Sequence, residues 1–369
     1  MYLLSFNAIA TLTNLAAVEE NRMIMLSEQG LLDNIARVVH NERSDMARHC
    51  SALAIMNLSN GDREHVPELG SDLLLESIIK LLKDDVMETR RNAVIALFNV
   101  ACADQNTVKL VRYRNGRILD VLTQIIAQGN EDSDSGDHHF EHDSEVKTNA
   151  AEALFNMSCS SIIETTDRIA NHPSLLETLA LALRSPTDSR DVKIYCAATL
   201  RRMAEIIHAP KKSQMELLSA LVKASSWIRT ACIAEAFLSQ SEMSENREVM
   251  IEHHGLLNAL SKLALTVGGS ESDRVRSAAI LAIVHLSLHY PTRHLLSKHE
   301  GIMMALTRAS YESYRSPIEA QADDRVPTSD ESSLVSRGST GSHFQERNDP
   351  QGEKEKQIQM ALKHLVSAM

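Results

Sequence analysis

Aromatic side chains are scarce in this sequence: Phe, Trp and Tyr make up 4% of its 369 residues, and Trp227 is the single tryptophan. A core without large rings is packed by small and aliphatic side chains, which suits closely stacked helices. No run of about 18 apolar residues is present, so no membrane span is expected. The segment from Met1 to Asn7 lacks the basic start and long apolar run of a secretory signal. The 5 cysteines are odd in number, widely spaced and without a CxxC pair, which argues against a disulfide framework. These absences point to an intracellular protein, cytoplasmic or nuclear. Positive charge is also in deficit, with 38 Lys and Arg against 49 Asp and Glu. The resulting charge of −11 repels phosphate backbones, so no nucleic-acid partner is expected. There is no P-loop, no GxGxxG after a strand and no GxSxG, and nothing calls for a cofactor.

What the chain does have is repetition, the first thing to settle because a missed repeat misreads the fold. One phrase of small and apolar residues ends in Asn plus an apolar residue. It runs Ala8 to Ala16, Ala52 to Ser59, Ala93 to Ala101 and Ala150 to Ser158. The Asn positions are 14, 57, 99 and 156, giving steps of 43, 42 and 57. The long step contains an acidic insertion around Glu131 to Asp137, and removing about fifteen residues restores the period. Weaker copies follow at Cys196 to Met203, Cys232 to Leu238 and Ala279 to Leu286. A second apolar phrase comes after most copies of the first, preceded by Gly30, Gly116 or Gly255 in three of them. Glycine before a new apolar period marks a helix stop followed by a helix start. Each unit therefore reads as a short helix, a middle helix and a longer closing helix.

This pattern resembles armadillo repeats over roughly residues 1–310, through its period, its glycine turn and its closing A-x-A-L-x-N-L phrase. HEAT repeats have a similar period, but the short first helix and the Asn favour armadillo. The resemblance implies an all-α, right-handed superhelical solenoid of armadillo-type three-helix repeats. The expected solenoid covers 1–312 in about seven units, the first incomplete, with an acidic loop insertion at 129–144. Residues 313–353 are rich in Ser, Pro, Gly and charge and are expected to be disordered. Residues 354–369 read as a helix, a candidate capping half-repeat. The chain opens directly in a closing phrase, and Tyr2, Leu3, Leu4 and Phe6 make a poor polar cap. The expectation is a piece of a longer protein, or a first unit covered by a partner.

On a helical wheel the positions four and seven before the Asn fall about 40° and 20° from it, forming one stripe. The position two before it lies on the far side and is apolar in every copy: Leu12, Ile55, Leu97, Leu154, Leu200, Ala236 and Ile283. The Asn stripe is therefore expected on the exposed face. A carboxamide donates and accepts, which suits the backbone of an extended peptide. The resemblance implies that role for Asn14, Asn57, Asn99 and Asn156. Asn92, Asn149 and Glu152 share their stripe, while Arg202, Leu238 and His285 replace the Asn in later units. Import adaptors of this family carry Trp four before the Asn. Here Ala10, Leu53, Ile95 and Glu152 stand there, so import-signal binding is not expected. The other reading of the four Asn is packing between repeats.

Nine residues before the ladder position stands a basic series: Arg48, Arg90, Lys147, Lys193, Arg229 and Arg276. Neighbouring acids at Asp45, Glu88, Glu145, Asp191 and Asp273 suggest local pairing, and a strip for an acidic partner is the other reading. The five Cys read as small packing residues of the closing helices. The one dense ligand cluster, His138-His139-Phe140-Glu141-His142-Asp143, lies in the acidic insertion without side chains to orient it, so no metal site is expected. The function that fits is a scaffold or adaptor holding an extended peptide or helix of another protein in a concave groove, and not an enzyme. A regulator of a nucleotide-cycling enzyme, such as a chaperone or GTPase exchange factor, is the alternative. A metal-dependent hydrolase using the histidine cluster is a remote third.

Overall fold

A computed structural model describes residues 2–60, 69–127, 140–206, 211–323 and 350–367. Among these residues there are helices and turns and no strand, as expected for an all-α chain. The chain forms two compact units, Met1–Ala236 and Phe237–Met369.

The first unit opens with a closing helix, α1 (Tyr2–Ala17). A complete three-helix repeat follows in α2 (Glu19–Ser27), α3 (Leu31–Asn41) and α4 (Asp45–Ser59). The next repeat contributes α5 (Asp72–Leu81) and the closing α6 (Met87–Ala101). Then come α7 (Asp104–Arg112), α8 (Arg117–Ala127) and α9 (Phe140–Ser158), followed by α10 (Ile163–Ala170), α11 (Leu175–Arg184) and α12 (Arg190–Ile206). After α12 stands one 17-residue helix, α13 (Lys211–Trp227), and the sixth closing phrase falls in α14 (Ala231–Glu242), which carries the unit boundary. In the second unit α15 (Arg247–Glu252), α16 (Leu256–Ala264) and α17 (Ser270–Ser287) form a repeat. It is followed by α18 (Arg293–Ser297), α19 (Glu300–Asp323) and α20 (Pro350–Val366).

Within the first unit the closing helices stack in order, α1 on α4, α4 on α6, α6 on α9 and α9 on α12. Their composition follows from this position. A closing helix has a neighbour on each side and a middle helix beneath it. Its apolar residues therefore spread around the axis, as Ala93, Val94, Ala96, Leu97, Val100 and Ala101 do in α6. Alanine dominates where two such helices approach. The middle helices are buried along one face and carry a narrower stripe, such as Ile35, Ala36 and Val39 in α3. Of the residues expected on the buried side, Ile55, Leu97, Leu154, Leu200, Ala236 and Ile283 are fully buried. Leu12 is half-buried, in the first closing helix.

The glycine before the middle helix has a geometric cause. Gly30, Gly116 and Gly255 take φ of +81°, +96° and +86°, a region that β-carbon sterics deny to most residues. Two repeats depart from glycine here: Ser174, at φ +67°, holds the same place before α11, and Ser71 before α5 is extended at φ −69°. Ser174→Gly is expected to stabilise the first unit by about 1 kcal/mol, read as a higher urea midpoint with an unchanged slope. An unchanged or lower midpoint would show that no strain is held there.

Two boundaries differ from the sequence expectation. Helix α9 starts at Phe140, inside the loop expected over 129–144, and residues 128–139 lie outside the described residues. Helix α19 runs on to Asp323 and α20 begins at Pro350, so both reach into the stretch 313–353 expected to be disordered. Residues 324–349 lie outside the described residues. Helical hydrogen bonding needs no apolar burial at every residue, so a polar composition did not stop these ends from continuing. Helix α20 packs against α17, α18 and α19, burying Ile358, Ala361 and Leu365.

Candidate functional site

The ladder residues do not stand free on an exposed face. Asn14 is exposed, while Asn57, Asn99 and Asn156 are half-buried because each closing helix is shouldered by the one before it. Each of these three reaches back one repeat. Asn57 Nδ2 donates to Thr13 O at 3.4 Å, Asn99 Nδ2 to Ser59 Oγ at 3.1 Å and Asn156 Nδ2 to Cys102 Sγ at 3.3 Å. Their Oδ1 atoms take no hydrogen bond among the described residues, and none is a buried orphan.

Two of the three residues that replace Asn keep the backward bond. Arg202 Nε donates to Ser158 O at 3.3 Å, and its Nη1 pairs with Glu205 at 2.7 Å. In the second unit His285 Nδ1 lies 3.3 Å from Ser241 Oγ. Arg202 and His285 thus retain the inter-repeat link without the carboxamide, whereas Leu238 has no polar group to make it.

The stripe partners diverge. Asn92 is 7% exposed, so it packs between helices. Asn149 is half-buried, and its Nδ2 donates to Glu145 O of its own helix at 2.9 Å. Glu152 accepts the Tyr195 hydroxyl, and that bond together with burial pushes the phenol up to about 12. The Tyr195 ring sits 6.0 Å from that of Phe155. Glu152 and Arg202 are both engaged by neighbours within the fold. Between α6 and α9 a cavity of roughly 470 Å³ opens beside Asn156, walled by Phe98, Glu152, Cys159 and Asp104. Hydroxyls of Ser160 and Ser161 hold the Asp104 carboxyl below its usual range.

The basic series ties repeats together as well as pairing locally. Arg48 bonds Asp45 at 2.6 Å and Asp84 of the next repeat at 2.5 Å. Lys147 pairs with Asp188, and Arg276 with Asp273 and Glu312. Arg90 turns to the carbonyls of Asp84 and Asp85.

Sequence reasoning missed a set of capping arginines. Arg22 donates to Ala16 O and Ala17 O at the end of α1, Arg247 to Ser241 O and Glu242 O, and Arg293 to Ser287 O. A cation on the open carbonyls of a helix end satisfies them and complements the dipole. The signal was an arginine eight or nine residues after the ladder position: Arg22, Arg247 and Arg293 after Asn14, Leu238 and His285. Also missed was His364, which precedes buried Leu365 as His285 precedes buried Leu286.

The cysteines correct the packing expectation. Cys196 is buried, Cys50, Cys102 and Cys232 are half-buried, and Cys159 is exposed; Cys102 and Cys159 lie just past the ends of α6 and α9. Among the described residues no group of three or more His, Cys, Asp or Glu is placed to hold a metal, and no helix is long and apolar enough to cross a membrane. His138 and His139 lie outside the described residues.

Burial holds three imidazoles of the second unit below their usual range: His253, His285 and His364, the last helped by Arg293 and Lys363. Neutral in the fold, they take up protons more readily once unfolded. Their contribution is therefore complete above the unfolded value of about 6.5 and is lost as pH falls toward the folded values. The second unit is expected to unfold at lower urea at pH 5.5 than at pH 7.5, and His285→Gln to shrink that difference. A midpoint that rises on acidification would contradict the shifts.

No protein family and no curated protein matches the sequence. Solved structures do. An engineered protein known from its crystal structure is 18% identical with a TM-score of 0.52, over 98% of this chain and 84% of that one. A computationally designed armadillo repeat protein for modular peptide recognition is 20% identical with a TM-score of 0.49, over 75% and 92%. A designed armadillo repeat protein in complex with the peptide (KR)4 is 20% identical with a TM-score of 0.46, over 75% and 91%. At such identity the likeness to the first of these speaks to fold alone. Three-helix units, positive-φ turns and stacked closing helices give this chain an all-α, armadillo-like helical repeat fold.

Proposed function

We propose that the protein is a scaffold or adaptor that binds an extended segment of a partner protein along the closing-helix ladder of its first unit. The observation that carries this reading is the half-used carboxamide. Asn57, Asn99 and Asn156 each spend an Nδ2 hydrogen on the preceding repeat and leave Oδ1 without a bond. The inward bond fixes the side chain, so little rotamer entropy is lost when a ligand arrives. The free oxygen can accept a backbone N–H of an extended chain. Packed helices are spaced roughly 8–10 Å apart and an extended chain rises about 3.3 Å per residue, so each step corresponds to two or three ligand residues.

The ladder is also neutral, its nearby charges being engaged by Tyr195 and Glu205. Main-chain recognition with apolar contacts at Leu53, Ile95 and Phe98 therefore fits better than selection by charge. The test is a photo-crosslinking residue placed at Leu53 or Ile95, with a control at exposed Leu181 on α11. Partner adducts confined to the ladder positions support the reading. Equal labelling from Leu181 would refute it.

A further inference from the structure

The second unit contains a cavity of roughly 360 Å³ between the turn entering α18 and the end of α20. Among the described residues its walls are Tyr290, Pro291, Arg293, His294, His364 and Ser367, none of them a carboxylate side chain. In a chain of net charge −11, a cavity lined by a guanidinium, two imidazoles and two hydroxyls stands apart.

Arg293 is held in place twice. Its Nε donates to Ser287 O at 2.7 Å, and its guanidinium lies 5.2 Å from the Tyr290 ring centroid. The Nη nitrogens make no hydrogen bond among the described residues. His294 Nδ1 donates to Pro291 O at 3.2 Å, so Nε2 donates to a ligand oxygen when the ring is an imidazolium, the form an anion favours. His364 Nδ1 is buried without a partner. The Ser367 hydroxyl donates to His364 O at 2.8 Å and keeps its acceptor capacity, while Tyr290 is 79% exposed. Burial, Arg293 and Lys363 all disfavour charge on His364. Positive groups gathered without a counter-charge cost free energy unless an anion joins them.

We propose that this cavity is a binding site for a phosphoryl group, free or carried as a phosphomonoester. Tetrahedral phosphate offers three acceptor oxygens, which suits donors converging from different elements. Two oxygens match the guanidinium fork, and the third faces the imidazole of His294 or His364. The site lies wholly in the second unit and is independent of the peptide ladder.

The test titrates the full chain at pH 7 and constant ionic strength with inorganic phosphate, O-phosphoserine, acetate or chloride, following the histidine ring signals by NMR. Inorganic phosphate should shift His294 and His364 saturably, and leave His40 and His49 of the first unit unmoved. His294→Gln and Arg293→Gln should each weaken binding by roughly tenfold. Because Arg293 also caps Ser287, His294→Gln is the variant that isolates binding from folding. Tighter binding of O-phosphoserine than of inorganic phosphate assigns the site to phosphomonoesters, and the reverse assigns it to free phosphate. Equal shifts with acetate or chloride, or a His294→Gln chain that binds phosphate undiminished, would overturn the proposal.

Discussion

Lys147→Met is expected to remove about 3–5 kcal/mol from the stability of the first unit, the largest loss expected of any single ion pair in it. Lys147 stands near the start of α9, and Asp188 lies in the turn before α12, so the pair ties two consecutive repeats. Both side chains are only 6% exposed. Losing the ammonium leaves a buried carboxylate whose Oδ2 already lacks a partner. That uncompensated charge, and not the lost attraction, dominates the cost. Lys147→Met with Asp188→Leu is therefore expected to recover most of the loss, because neither charge then needs solvating. Urea unfolding of the two single variants and the double variant gives the coupling directly. A Lys147→Met loss below about 1 kcal/mol would mean that water reaches the pair. The related pair Arg48 and Asp84, 16% and 5% exposed, should show a smaller effect of the same sign.

The second large effect concerns thiol chemistry. Cys196 lies two residues before Ala198 on α12, fully buried, and burial with Asp188 close by pushes its thiol up to about 12. Cys159 is exposed past the end of α9, where Arg202 opposes part of the upward push of burial. Alkylation proceeds through the thiolate, and a thiol held that far up is almost wholly protonated at pH 8. Native-state labelling should therefore modify exposed Cys159 far faster than buried Cys196, and the difference should vanish in denaturant. Peptide mapping after timed labelling reads both sites in one sample. Comparable native rates would place Cys196 in contact with solvent.

The closing helices were legible because their composition is forced. A helix packed on several sides must be small and apolar around its axis, and Ala93 to Ala101 shows this in the bare sequence. The turn glycines were legible for a related reason, since φ near +80° leaves few alternatives. Ser174 was not, because a serine carries no mark of the strain it accepts. The ladder positions were found by spacing, but their half-buried state was not. A wheel treats each helix as isolated, and only stacking shows that Asn57 must reach Thr13. The same limit applied to the basic series: Asp45 beside Arg48 is visible as a neighbour in sequence, whereas Asp84 becomes one only across the repeat. Polar composition misplaced the ends of α9, α19 and α20, where helical hydrogen bonds persist without apolar burial. The phosphoryl cavity had no local signature, since Arg293 and His364 are brought together by the docking of α20.

One row of carboxamides is proposed both to link the repeats and to receive a partner's main chain. This dual role is tested most directly by an Asn57→Ala, Asn99→Ala, Asn156→Ala chain, compared with the wild type for helicity by circular dichroism and for affinity toward a partner captured by ladder crosslinking. Each lost hydrogen bond is worth about 0.5–1.5 kcal/mol. The expected affinity is roughly a hundredfold weaker in a chain that remains equally helical. Undiminished affinity in that folded chain would contradict it and leave the ladder with structural bonds alone.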